Sequence, residues 1–111
     1  MKPLVYRDVT LDKGKSPQWL SDLKNANGAY VIRRKSDGKP LYVGESHSSR
    51  LAGTITRHFA KWYEPERPHF TYSRGSVEVA VRLCPPPAAV SCQNRLIRRL
   101  QPRDNTNGYA E

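Results

Sequence analysis

Gly28-Ala29-Tyr30-Val31-Ile32-Arg33-Arg34-Lys35-Ser36-Asp37-Gly38-Lys39-Pro40-Leu41-Tyr42-Val43-Gly44 is the stretch whose reading decides the fold. Gly28–Arg34 is rich in Tyr, Val and Ile, residues suited to a pleated and half-buried surface, and Pro40–Gly44 reads as a second strand. Ser36-Asp37-Gly38 between them is a turn signal, so the two runs form a hairpin. Two registers are open. A two-residue Asp-Gly turn sets Tyr42 opposite Arg33, which sends Tyr30 and Tyr42 to opposite faces. A three-residue loop with Gly38 in the left-handed conformation pairs Lys35 with Lys39 and sets Tyr42 opposite Ile32. Side chains alternate along a strand, so Tyr30 and Tyr42 then share a face.

Working outward, residues 3–9 read as extended. Ser16 caps a short helix, Gln18 to Lys24, with Pro17 in its first turn, and Asn25-Ala26-Asn27-Gly28 breaks it. Beyond the hairpin a polar loop, Glu45-Ser46-His47-Ser48-Ser49, leads to a helix from about Arg50 to Trp62. Leu51, Ile55, Phe59 and Trp62 recur there at helical spacing, and Pro65 and Pro68 end it. Ser76–Leu83 alternates apolar and polar residues as a strand does. Pro85-Pro86-Pro87 stops that strand, a helix follows from Ala88 to Leu100, and the tail from Gln101 is loop, loosening by Tyr109. The order predicts an α+β fold: a small three-stranded antiparallel sheet with helices packed on it. Residues 1–111 fit one domain, with 1–27 as an N-terminal extension to a core at 28–105.

Nineteen Lys and Arg stand against ten Asp and Glu, a formal net charge of +9. Such an excess does not define a fold, but it draws polyanions to the surface, and nucleic acid is the expected partner. No stretch approaches the roughly 20 apolar residues that span a bilayer, so no membrane partner is expected. No apolar run follows the N-terminal charges, so the expected compartment is the cytoplasm. Cys84 and Cys92 lack the second ligand pair of a zinc site and read as reduced, half-buried thiols.

Gly28-Ala29-Tyr30 followed by Tyr42-Val43-Gly44 resembles the paired strand motifs that name the GIY-YIG nucleases. Arg57-His58-Phe59 closes the first long helix as in members of that family, and the run from Arg95 to Asn105 is similar to the family's closing segment, a helix end followed by Pro and Asn. The match covers roughly residues 28–105 in the right order. Any one tripeptide would be weak; the set is specific. The resemblance implies a DNA endonuclease-type domain that hydrolyses phosphodiester bonds with one divalent metal, Mg2+ or Mn2+, on single- or double-stranded DNA. Hydrolysis needs an attacking water, a group to take its proton and cations to offset the developing charge. By the resemblance, Tyr30 and Tyr42 sit together by the scissile phosphate, which requires the second hairpin register. Arg50 would contact the phosphate, with Arg57 as a competitor because the loop before Arg50 is shorter than the family's. His58 would be a base or phosphate ligand, and an ideal helix turns about 80° between Arg50 and His58, so both would face one groove. Asn105 would brace the site.

The departure is Gln93. The family places a metal-binding glutamate four residues before the Ile of its Leu-Ile pair, and Gln93 stands four before Ile97. It shares a helical face with Ile97 and Leu100 and so points inward. A neutral amide lacks the charge that a hard cation wants. Three explanations stand: an engineered substitution, a natural loss that leaves a catalytically inactive nucleic-acid-binding module, or a natural variant in which another carboxylate serves, Glu45 being the candidate. Arg95, Arg98 and Arg99 form a helical stripe that, with Arg57, Lys61 and Arg103, is expected to line a DNA groove. Trp62 and Tyr63 read as packing beneath the Pro65–Pro68 loop or as stacking on bases.

Overall fold

A computed structural model describes residues 3–59 and 72–105. Its elements run β1 (Arg7–Asp8), α1 (Gln18–Ser21), β2 (Gly28–Arg34), β3 (Pro40–Ser46), α2 (Leu51–Thr56), a 3-10 turn (Arg57–Phe59), β4 (Val77–Leu83) and α3 (Pro86–Leu100). The α+β class is as expected, but the sheet has four strands in the order β1-β4-β2-β3, all neighbours antiparallel. The fourth strand is β1, joined to β4 through Arg7–Val79 and Asp8–Glu78. It is two residues long and both are exposed, so no alternation announces it in the sequence. Residues 3–27 also give the core Val9 and Leu20.

The hairpin has the register that unites the tyrosines: Tyr30 lies opposite Gly44, Val31 opposite Val43 and Ile32 opposite Tyr42. The loop departs from the expectation. Arg33 pairs with Pro40 rather than Leu41, so a bulge stands at the Ile32–Arg33 step. The loop is Lys35–Gly38, closed by the Arg34 N–H donating to the Lys39 carbonyl and by the Gly38 N–H donating to the Arg34 carbonyl. Gly38 has φ +72°, the left-handed conformation expected of it. The extra loop residue and the bulge offset one another, which is why the deeper pairing survives.

Central β2 is buried from Gly28 to Ile32 because both faces of the sheet are covered. One face carries Tyr30, Ile32, Leu41, Val77 and Val79 and packs against Leu20 of α1 and Leu51 and Ile55 of α2. The other carries Ala29, Val31 and Val43 and packs against Leu96 of α3, with Cys92, Ile97 and Leu100 beside it. The helices differ in extent from the sequence reading. α1 ends at Ser21, and its N-cap is Pro17, with no side-chain cap from Ser16. α2 begins after Arg50 and gives way to the 3-10 turn at Arg57. Gly53 and the β-branched Thr54, Ile55 and Thr56 are weak helix formers, and the Thr56 hydroxyl donates to the Ala52 carbonyl. Lys61, Trp62 and Tyr63 lie outside the described residues, as does Tyr109. α3 starts at Pro86 because proline's missing N–H costs nothing in a first turn. β4 starts one residue later than expected, at Val77. No helix among the described residues is long and apolar enough to cross a membrane.

Candidate functional site

Tyr30 leaves the middle of β2 on the face covered by α1 and α2, and its ring lies across Gly44, the residue directly opposite on β3. A Cβ at Gly44 would run into the Tyr30 ring and hydroxyl, so only glycine admits that path. The ring is 2% exposed, and its hydroxyl lies 2.7 Å from Nε2 of His58. Tyr42 completes the group: its ring centroid is 4.6 Å from that of His58 and 6.3 Å from that of Tyr30. Tyr30, Tyr42 and His58, brought together from β2, β3 and the 3-10 turn, thus form a single polar cluster.

Asn105 braces this cluster from outside. Its Oδ1 accepts the Val43 N–H at 2.7 Å and its Nδ2 donates to the Val43 carbonyl at 2.9 Å. Both backbone groups of the residue after Tyr42 are thereby satisfied by one buried side chain.

Arg50 and Arg57, the latter next to His58 in the chain, gather at a concavity of their own. With Lys24, Gly53 and Thr54 they line a volume of about 350 Å3, and no carboxylate among the described residues is in its lining. The backbone ahead of it is pinned. The Arg50 N–H donates to the Ser46 hydroxyl, and Asn27 accepts the Ser49 N–H while its amide donates to the Ser49 hydroxyl. Arg50 is the N-cap of α2, and His58 lies in the 3-10 turn, so the rotation of an ideal helix does not relate them. Arg50 shares its concavity with Arg57, not His58. A larger cavity of about 490 Å3, lined by Pro3, Val5, Trp19, Leu23, Val81 and Leu83 among others, includes none of Tyr30, Tyr42 or His58.

Gln93 is buried, on the inward stripe of α3 with Ala89 and Leu96, as expected. α3, however, covers the sheet face of Ala29, Val31 and Val43, whereas Tyr30 belongs to the other. The Gln93 amide donates to the Asn94 side-chain oxygen at 3.4 Å. Glu45 lies opposite Ala29, and alternation places it on the α3 side as well. Its carboxylate is held by Nδ1 of His47 at 2.9 Å. Among the described residues no group of three His, Cys, Asp or Glu side chains is arranged to hold a metal ion. At position 93, where the resemblance implies a metal-binding glutamate, the side chain is a neutral amide, which does not fit a hard divalent ion. Glu45 keeps an anionic carboxylate beside His47, but it is a single carboxylate rather than a set.

The arginine stripe divides. Arg95, Arg98 and Arg99 are exposed on α3, while Arg57 stands at the end of α2 on the other side of the sheet, so they do not line one groove. Arg103 is engaged internally: its Nε and a terminal nitrogen grip both Asp104 oxygens at 2.8 and 3.0 Å. Cys84 and Cys92 are free, half-buried thiols. Burial, then the charge and hydrogen bond of Cys92, pushes the Cys84 thiol above its ordinary range, the opposite of a reactive thiolate.

Sequence reasoning missed Tyr72 and Asp104. The Tyr72 ring stands 6.0 Å from His58, and its hydroxyl donates to Asp104 Oδ2 at 2.6 Å. Burial above all, then the hydrogen bond to Asp104 and that carboxylate's charge, holds the Tyr72 phenol far above the usual tyrosine range. For Asp104, burial opposes ionisation, but the hydrogen bonds from Arg103 and Tyr72 and the Arg103 charge prevail, so its carboxyl sits below the usual range. No protein-family model matches this chain, and no curated protein matches it.

Proposed function

We propose that this chain is a nuclease-type domain of the cytoplasm that binds DNA phosphodiesters over Tyr30, Tyr42 and His58, with Arg50, Arg57 and Lys24 neutralising the phosphates alongside. The observation that carries the reading is the 2.7 Å contact between the Tyr30 hydroxyl and His58 Nε2, with the Tyr42 ring tilted against the imidazole. An imidazole within hydrogen-bond distance of a phenol gives a group that can take a proton, which is what activation of a water for attack on phosphorus requires. The basic concavity and the net charge of +9 supply the attraction that a polyanion needs. The resemblance to the GIY-YIG nucleases supports the same assignment of these residues.

A second reading, a binding module that does not cleave, is favoured by one observation: a neutral amide, Gln93, stands where the resemblance implies a metal-binding glutamate. A nicking assay with Mg2+ or Mn2+ on single- and double-stranded DNA separates the two. Gln93→Glu adds a charge at nearly constant volume, so the nuclease reading expects metal-dependent cleavage to appear or rise sharply, and His58→Ala to remove it. If the unaltered chain already cuts and Glu45→Gln abolishes it, Glu45 carries the missing charge. If folded, DNA-bound Gln93→Glu cuts no form of DNA with either metal, the binding module replaces the nuclease.

A further inference from the structure

His58 occupies a single 3-10 turn, a short element with poor hydrogen-bond geometry of its own. Something else has to hold its ring against Tyr30 and Tyr42. Two connections meet there. On the His58 side, the Tyr72 N–H donates to the His58 carbonyl at 2.8 Å, and the Tyr72 ring faces the imidazole. On the Tyr42 side, the segment 103–105 runs along β3: the Arg103 N–H donates to the Pro40 carbonyl, the Asp104 N–H donates to the Leu41 carbonyl, and Asn105 grips Val43. The 2.6 Å bond from the Tyr72 hydroxyl to Asp104 joins the two halves. Arg103 holds the carboxylate in a two-pronged grip, so that the acceptor is itself fixed.

We infer that Tyr72 and Asp104 are positioning residues for the reacting face: they tether the segment bearing His58 to the strand bearing Tyr42. The inference rests on reading Tyr30, Tyr42 and His58 as the phosphodiester site. Tyr72 is 8% exposed and in the core, so packing alone is the competing account of it. The two accounts differ in what happens when only the hydroxyl is removed. Tyr72→Phe keeps the ring and its packing but cuts the tie to Asp104. Asp104→Ala cuts the same tie from the other end, and Asp104→Asn keeps an acceptor oxygen for the phenol.

The test is the tautomer distribution of His58, read from long-range 1H–15N spectra of the whole chain without DNA. Tyr30→Phe gives the reference for a ring that has lost its partner. Tyr72→Phe and Asp104→Ala are expected to move the distribution more than half-way to that reference, and Asp104→Asn to stay near the unaltered protein. The two Asp104 variants form a second pair that decides the matter if Tyr72→Phe does not fold. Should Tyr72→Phe, or Asp104→Ala in its place, fold with the unaltered distribution, the tether is overturned and Tyr72 is a packing residue. In a form that cleaves DNA, loss of the tether should lower kcat about tenfold or more with KM little changed, because misplacement of a reacting group acts on the chemical step. Absence of cleavage in every form would count against the proposed function and leave the tautomer result standing.

Discussion

Tyr30 lies across Gly44, so close that a single added methyl carbon at Gly44 would occupy the space of the phenol. Gly44→Ala is therefore expected to destabilise the protein even though alanine suits a strand better than glycine. The strand preference is worth roughly 0.5–1 kcal/mol, and forced overpacking costs typically about 1–3 kcal/mol. Denaturant unfolding should show a net loss, with the Tyr30–His58 contact disturbed; a variant as stable as the parent would show that the Tyr30 ring has another place to go.

Asn105 satisfies a donor and an acceptor of the same residue, and each substitution separates the two roles. Asn105→Ala leaves both Val43 groups without their partner, at about 1–3 kcal/mol for each buried group left unsatisfied. Asn105→Asp still accepts the Val43 N–H but sets a carboxylate oxygen against the Val43 carbonyl. Both variants should unfold at lower denaturant, with Asp no better than Ala. An Asp variant of unchanged midpoint would mean that the Val43 carbonyl bond contributes nothing.

The Tyr72–Asp104 pair gives stability opposite slopes at the two ends of the pH range. Asp104 has a folded-state pKa below its ordinary value, so its contribution is present above the unfolded carboxylate range and is lost as pH falls through the folded value. Tyr72 is raised, so its contribution is complete below the ordinary tyrosine pKa of about 10 and is lost as pH rises beyond it. Thermal melts should show Asp104→Asn losing less than the parent on acidification below about pH 4, and Tyr72→Phe losing less above about pH 10. Parallel curves for parent and variants would remove the pair from the stability account.

The hairpin was legible because period-two alternation ties the register to the side of each tyrosine, and Gly38 marks the left-handed turn position. The compensating bulge at Ile32–Arg33 was not, since an added loop residue and an added strand residue leave the same pattern of faces. Residues 3–9 read as extended, but the pairing of β1 into the sheet was not legible because Arg7 and Asp8 are polar, exposed and joined to β4 through backbone. In α3 the inward stripe correctly marked Gln93 as buried, but a stripe does not say which sheet face it covers. That choice puts Gln93 across the sheet from Tyr30, and separates Arg57 from Arg95, Arg98 and Arg99. Tyr72 and Asp104 meet across 32 positions, and nothing local to either residue announces the contact.

A map of where DNA touches the protein tests the proposed phosphodiester face most directly. Backbone and side-chain NMR shifts on adding a short duplex should concentrate at Tyr42, His58, Arg50, Arg57 and Lys24. Alanine at Lys24, Arg50 or Arg57 should reduce the log–log salt slope of binding by about 0.9 for each phosphate that is no longer neutralised. Shifts confined to Arg95, Arg98 and Arg99 on α3, with His58 and Tyr42 unmoved and the slope unaffected by Lys24, Arg50 or Arg57, would contradict that reading and move the nucleic-acid surface to the opposite face of the sheet.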